Sequence, residues 1–99
     1  MVTTIGIDPH KATHTAVAID EDETVLGEIT LRADRDQTNK LMDWASGLNG
    51  DGCLWAVESA GGLGYLLSQQ LVAGGENVVD VPAVLASRVR VGVVFGQVG

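Results

Sequence analysis

Basic residues are scarce in this chain of 99 residues: six Lys and Arg stand against thirteen Asp and Glu, for a formal net charge of -7. Affinity for a polyanion comes mostly from Lys and Arg neutralising phosphates, so the chain as a whole is poorly suited to grip nucleic acid unaided. Cysteine is nearly absent. The single Cys53 excludes an internal disulfide, and its place in an apolar run predicts a buried, reduced thiol. No run approaches the ~20 apolar residues of a membrane span. The start, Met1-Val2-Thr3-Thr4, carries no basic segment ahead of an apolar one. These absences predict a cytoplasmic protein with no membrane partner.

What remains is a composition that folds. Hydrophobic residues make up 45% of the chain and charged residues 19%, the balance of a globular protein rather than a disordered one. The length suits one domain and is too short for two.

Thr3-Thr4-Ile5-Gly6-Ile7-Asp8 is β-branched and apolar up to an abrupt acid, and Pro9 then favours a turn. Thr13 to Ile19 alternates with a two-residue period, and Asp20-Glu21-Asp22-Glu23 reads as a solvated turn into Thr24 to Leu31. Three antiparallel strands follow from this. From Asp34 the period becomes helical, with Leu41, Trp44, Ala45 and Leu48 on one stripe; Asp34 and Gln37 resemble a capping box. After the loop at Gly47 to Gly52, the run Cys53-Leu54-Trp55-Ala56-Val57 suits a strand covered on both faces, and it closes on Glu58. Leu63, Leu66, Leu67 and Leu71 predict a second helix stopped by Gly74-Gly75, and Asn77 to Val81 a further strand before Pro82. The order βββαβαβ predicts an α/β fold: a mixed sheet with helices packed on it. Ala83 to Val91 reads as the start of another helix, whereas Gly92 to Gly99 has neither helical period nor caps.

Asp8 and Glu58 each end an apolar strand. If those strands are neighbours, both carboxylates project from one edge of the sheet and can share a divalent cation, since carboxylate oxygens are what magnesium and manganese prefer. Taken singly, Asp8 is equally a turn opener and Glu58 a charge at a helix amino terminus. Found together at equivalent strand ends, they point to a metal site. His10 and Lys11 read first as exposed turn residues, with phosphate contact as their functional alternative, and the same choice applies to Arg88 and Arg90 on a helix face. His14 has no companion at ligand spacing and reads as structural. Gly61-Gly62-Leu63-Gly64 fails the dinucleotide-binding spacing, so close helix-to-sheet packing is its expected role.

Ile5-Gly6-Ile7-Asp8-Pro9-His10-Lys11, followed by Thr15-Ala16-Val17-Ala18 and by Ala56-Val57-Glu58-Ser59-Ala60-Gly61, resembles the DEDD-type transposases of the insertion sequence one-ten family. The likeness continues through Tyr65-Leu66-Leu67, Gly74 to Pro82 and Arg88-Val89-Arg90. It implies an amino-terminal ribonuclease-H-like domain, similar to Holliday-junction resolvases, with four acidic ligands for Mg2+ or Mn2+. It also implies a separate serine-bearing domain and recombination of DNA guided by a bridge RNA. By position, Asp8 matches the first acid and Glu58 the second.

The sequence departs from the family after Val91. There the family runs through a polar, basic loop into a helix with its third and fourth aspartates, while Gly92 to Gly99 is apolar and glycine-rich. The expectation is a partial domain over residues 1–91 and a divergent tail over residues 92–99, as a frameshift or truncation would leave. With two family ligands absent, such a chain is expected to bind magnesium weakly and to be inactive alone. Two other readings compete. One is a non-enzymatic remnant that associates with itself or with intact transposase through a sheet edge or the apolar tail. The other is a sugar-kinase or actin-like ATP-binding start, which Pro9 weakens because it has no amide to offer a phosphate.

Overall fold

A computed structural model of the chain describes residues 2–48, 52–58 and 62–81. The elements follow the expected order: β1 (Thr3–Pro9), β2 (Thr13–Ile19), β3 (Val25–Arg32), α1 (Gln37–Ser46), β4 (Cys53–Glu58), α2 (Tyr65–Ala73) and β5 (Asn77–Val81). They form one five-stranded sheet in the order β3-β2-β1-β4-β5. β1, β2 and β3 are antiparallel neighbours, whereas β4 pairs parallel to β1 and β5 parallel to β4. The sheet is mixed because a hairpin joins antiparallel strands in a few residues, while each parallel pairing needs a crossover, here through α1 and then α2.

Burial falls from the centre outward. β1 and β2 are buried along almost their whole length, whereas the edge strands β3 and β5 alternate between covered and exposed residues. This explains why β1 and β4 read as unbroken apolar runs. Ile5, Ile7, Ala16, Ala18, Trp55 and Val57 form one core with Leu41 and Ala45 of α1 and Leu67 and Leu71 of α2. All of these sheet residues share one face, so both described helices lie on that face. Trp55 is fully buried and its indole N–H donates to Glu76 Oε1 at 2.8 Å, which satisfies the one polar atom of the ring.

Three local expectations are corrected. No capping box forms: α1 begins at Gln37 behind Asp36, which makes no side-chain cap. Asp34 Oδ1 instead accepts from the Asp36 amide, and the Gln37 side chain turns inward to a buried histidine, whose need for a partner outweighs that of an exposed helix end. The leucine stripe of α2 is divided, because Leu67 and Leu71 are buried while Leu63 and Leu66 are exposed. Cys53 is only partly buried, near the start of β4. Burial still pushes its thiol pKa up, with Glu76 adding to the shift. The stop at Gly74-Gly75 takes the expected form: Gly75 has φ 85°, its amide bonds to the Val72 carbonyl, and the Glu76 amide bonds to that of Leu71. Residues 82–99, which include the proposed third helix, the tail, Arg88 and Arg90, lie outside the described residues.

Candidate functional site at the carboxyl edge of the sheet

The pairing of β1 with β4 runs from Thr3 opposite Cys53 to Ile7 opposite Val57. One step further along the same register come Asp8 and Glu58. Adjacent strands lie about 4.8 Å apart, and residues in register on parallel neighbours point to the same face. Both carboxylates therefore rise side by side from the edge, on the face opposite α1 and α2. Asp8 is only 7% exposed, and Glu58 is partly buried. Like charges at neighbouring strand ends repel. The strand ends are fixed locally: the His10 amide donates to the Thr13 carbonyl at 2.8 Å, closing the β1–β2 turn immediately after Asp8. His10 Nε2 lies 3.3 Å from Asp8 Oδ2.

The donor set suits a hard cation. Magnesium is commonly held by one or two carboxylates, with water and substrate phosphate completing its shell. Among the described residues no group of three or more His, Cys, Asp and Glu stands in metal-binding proximity.

All four Lys and Arg of the described residues lie at this same end of the sheet. Lys11 is in the β1–β2 turn, Arg32 ends β3, Arg35 is in the turn that follows, and Lys40 is in the first turns of α1. The acidic run from Asp20 to Glu23 is at the opposite end, in the β2–β3 turn, as the sequence predicts. A net charge of -7 thus conceals a segregation along the strand axis. Lys40 is engaged by Asp34 at 2.9 Å, and this hydrogen bond holds the Asp34 carboxyl below its usual pKa.

On the helical face of the edge lies a cleft of about 390 Å³, lined among others by His10, Lys11, Arg35, Gln70, Leu63 and Leu66. A chain of polar side chains crosses its wall. Gln37 Nε2 donates to Gln70 Oε1 at 2.7 Å, and Thr38 Oγ1 donates to the same oxygen at 2.8 Å. Gln37 Oε1 is therefore the acceptor for His14 Nε2, also at 2.7 Å. His14 is structural, as expected, but its Nδ1 is buried without a hydrogen-bond partner. The sequence reading did not find Gln37, Gln70 or Arg35. Arg35 could have been flagged by its place just beyond β3, at the end where Asp8 stands; nothing in sequence marks two glutamines as inward-facing.

Comparison with known proteins bears on this arrangement. Residues 5–94 match the family model described as "Transposase", that of the DEDD transposases of IS110 elements. A 44.8 kDa uncharacterized protein of insertion element IS116 from Streptomyces clavuligerus is 37% identical over 84 residues, covering 85% of this chain and 21% of that protein. The chain thus spans about a fifth of that relative's length. Among solved structures, the large terminase nuclease of thermophilic phage G20c superposes with a TM-score of 0.62 over 92% of this chain and 55% of the nuclease chain. At 15% identity that likeness establishes the fold, a nuclease-type mixed sheet.

Proposed function

The chain belongs to the DEDD transposase family of IS110 elements, and from that premise we propose that Asp8 and Glu58 are two ligands of a divalent metal site that cuts DNA strands in transposition. The observation that carries this reading is their register, one step past Ile7 and Val57 on neighbouring parallel strands. A bound Mg2+ or Mn2+ would supply charge neutralisation for the attacking and leaving oxygens of a phosphodiester. Asp8 and Glu58 hold the cation at the edge, His10 lies against Asp8 Oδ2, and Lys11 and Arg35 attract the nucleic-acid backbone to that end. The intact protein would act in the cytoplasm on DNA, with a guide RNA as its further partner. The other two acidic ligands would come from outside the described residues, so this piece alone would bind metal weakly and leave DNA uncut.

Calorimetric titration of Mn2+ into the chain tests the assignment. Asp8→Asn and Glu58→Gln should each weaken binding by at least about tenfold, the scale on which metal sites lose affinity when their supporting groups are removed. Binding by the double variant equal to that of the unaltered chain would remove both residues from the site.

A second reading, self-association, is favoured by one observation: Tyr65, Val72 and Val79 are exposed on α2 and the edge strand β5. Exposed apolar groups beside a strand that is at the sheet edge among the described residues favour pairing with a second copy. Sedimentation equilibrium should show dimers that Val79→Lys abolishes; a chain that is monomeric at high concentration excludes this reading.

A further inference from the structure

The cleft on the helical face is separate from the acidic pair, yet His10 borders both, since it contacts Asp8 and lines the cleft. Three kinds of lining meet there. Lys11 and Arg35 form a cationic rim, and among the described residues neither is held in an ion pair. Asp34 also lines the cleft, but its carboxylate is occupied by Lys40 and the Asp36 amide. Leu63 and Leu66 give an apolar lip, 56% and 61% exposed, although helical period alone would have buried them. Gln70 gives an oriented amide: its Oε1 already accepts two hydrogen bonds, which leaves the NH2 group as the available donor. His14, a residue only 3% exposed, also lines the cleft, and its Nδ1 is buried without a hydrogen-bond partner.

Cation, apolar surface and a fixed amide together match the three parts of a nucleotide: phosphate, ring face and base edge. A volume of about 390 Å³ falls in the range of sites for small organic ligands. We infer that this cleft receives one nucleotide of a single strand running toward the acidic pair. Its phosphate lies against Lys11 and Arg35, its ring against Leu63 and Leu66, and its base edge meets the Gln70 amide. The direction of the strand rests on the strand-cutting reading above, whereas binding itself requires no metal.

Fluorescence anisotropy in EDTA, with a labelled single-stranded oligothymidylate and its ribo counterpart, therefore tests the cleft independently of the metal site. The tighter of the two strands identifies whether DNA or RNA is the natural source. The Lys11→Ala/Arg35→Ala variant should weaken binding by at least about tenfold and lower the salt slope by about one. Leu66→Asp, at a position whose exposure makes it unimportant to folding, should weaken binding to a similar degree. Arg32→Ala, at the same edge in a neighbouring recess with Ala12 and Thr13, should change it by less than about twofold. Unaltered binding by Leu66→Asp, an Arg32→Ala loss as large as that of the double variant, or no binding by the chain itself overturns the inference. Failure of the Mn2+ titration with cleft binding retained overturns only the metal assignment.

Discussion

The two ends of the sheet are built from the same strands and have opposite characters. At the carboxyl edge, two acids in register stand among every described cation, beside a cleft with an unmet polar atom. At the amino edge, the acidic turn closes on itself: Asp20 Oδ1 accepts from the amides of Asp22 and Thr24, and the Trp55 ring is capped by Glu76. The acidic turn at one end is held by its own side chain, whereas the other end gathers the described Lys and Arg, of which Lys11 and Arg35 are in no described ion pair. Net charge is therefore a poor guide to what this chain binds, because the excess of acid is placed away from the end that would meet a phosphate.

The comparison is broken most strongly by altering the polar chain under the cleft. Gln37→Ala strands His14 Nε2 and leaves Gln70 Oε1 with a single donor, both in a poorly solvated wall. Removing one partner of a buried hydrogen bond costs about 1–3 kcal/mol. Urea denaturation should register a loss of that size, together with weaker oligonucleotide binding, because the Gln70 amide loses its orientation. If stability falls and binding does not, the network serves only the fold, and the two ends differ less than proposed.

Much of this architecture was legible beforehand, for physical reasons that differ between elements. The central strands announced themselves because burial on both faces demands unbroken apolar runs, and the first acid after each run marked the edge. Asp8 and Glu58 could thus be placed at one end from sequence, and the register between β1 and β4 supplied what sequence could not. The helix starts were less legible. Asp34 and Gln37 have capping-box spacing, but a buried imidazole competes for Gln37, and nothing local to α1 announces a histidine 23 residues away. Leu63 and Leu66 share the period of Leu67 and Leu71; which half of such a stripe is covered depends on neighbours distant in sequence.

Asp20→Ala sharpens the comparison with a smaller effect. It removes acceptors from two turn amides, so thermal denaturation should show a loss of about 1 kcal/mol. Mn2+ and oligonucleotide binding at the far edge should be unchanged. A loss of binding comparable to that of the cleft variants would mean that the two ends are coupled through the sheet.

The smallest expected effect has the opposite sign. Glu23 is the one non-glycine residue with positive φ among the described residues, at 69°, in the turn that Asp20 organises. A side chain in the left-handed region costs of the order of 1 kcal/mol, and glycine escapes most of that cost while losing more chain entropy on folding. Glu23→Gly should therefore raise stability by roughly 0.5 kcal/mol, and removing one charge from an acidic cluster adds to the gain in low salt. Its Mn2+ affinity should match that of the unaltered chain. A stabilised variant with unchanged binding would show that the amino edge can be rebuilt for stability alone, which is what the division of labour between the two ends requires; a destabilised one would mean that the Glu23 side chain contributes more to the turn than its backbone strain costs.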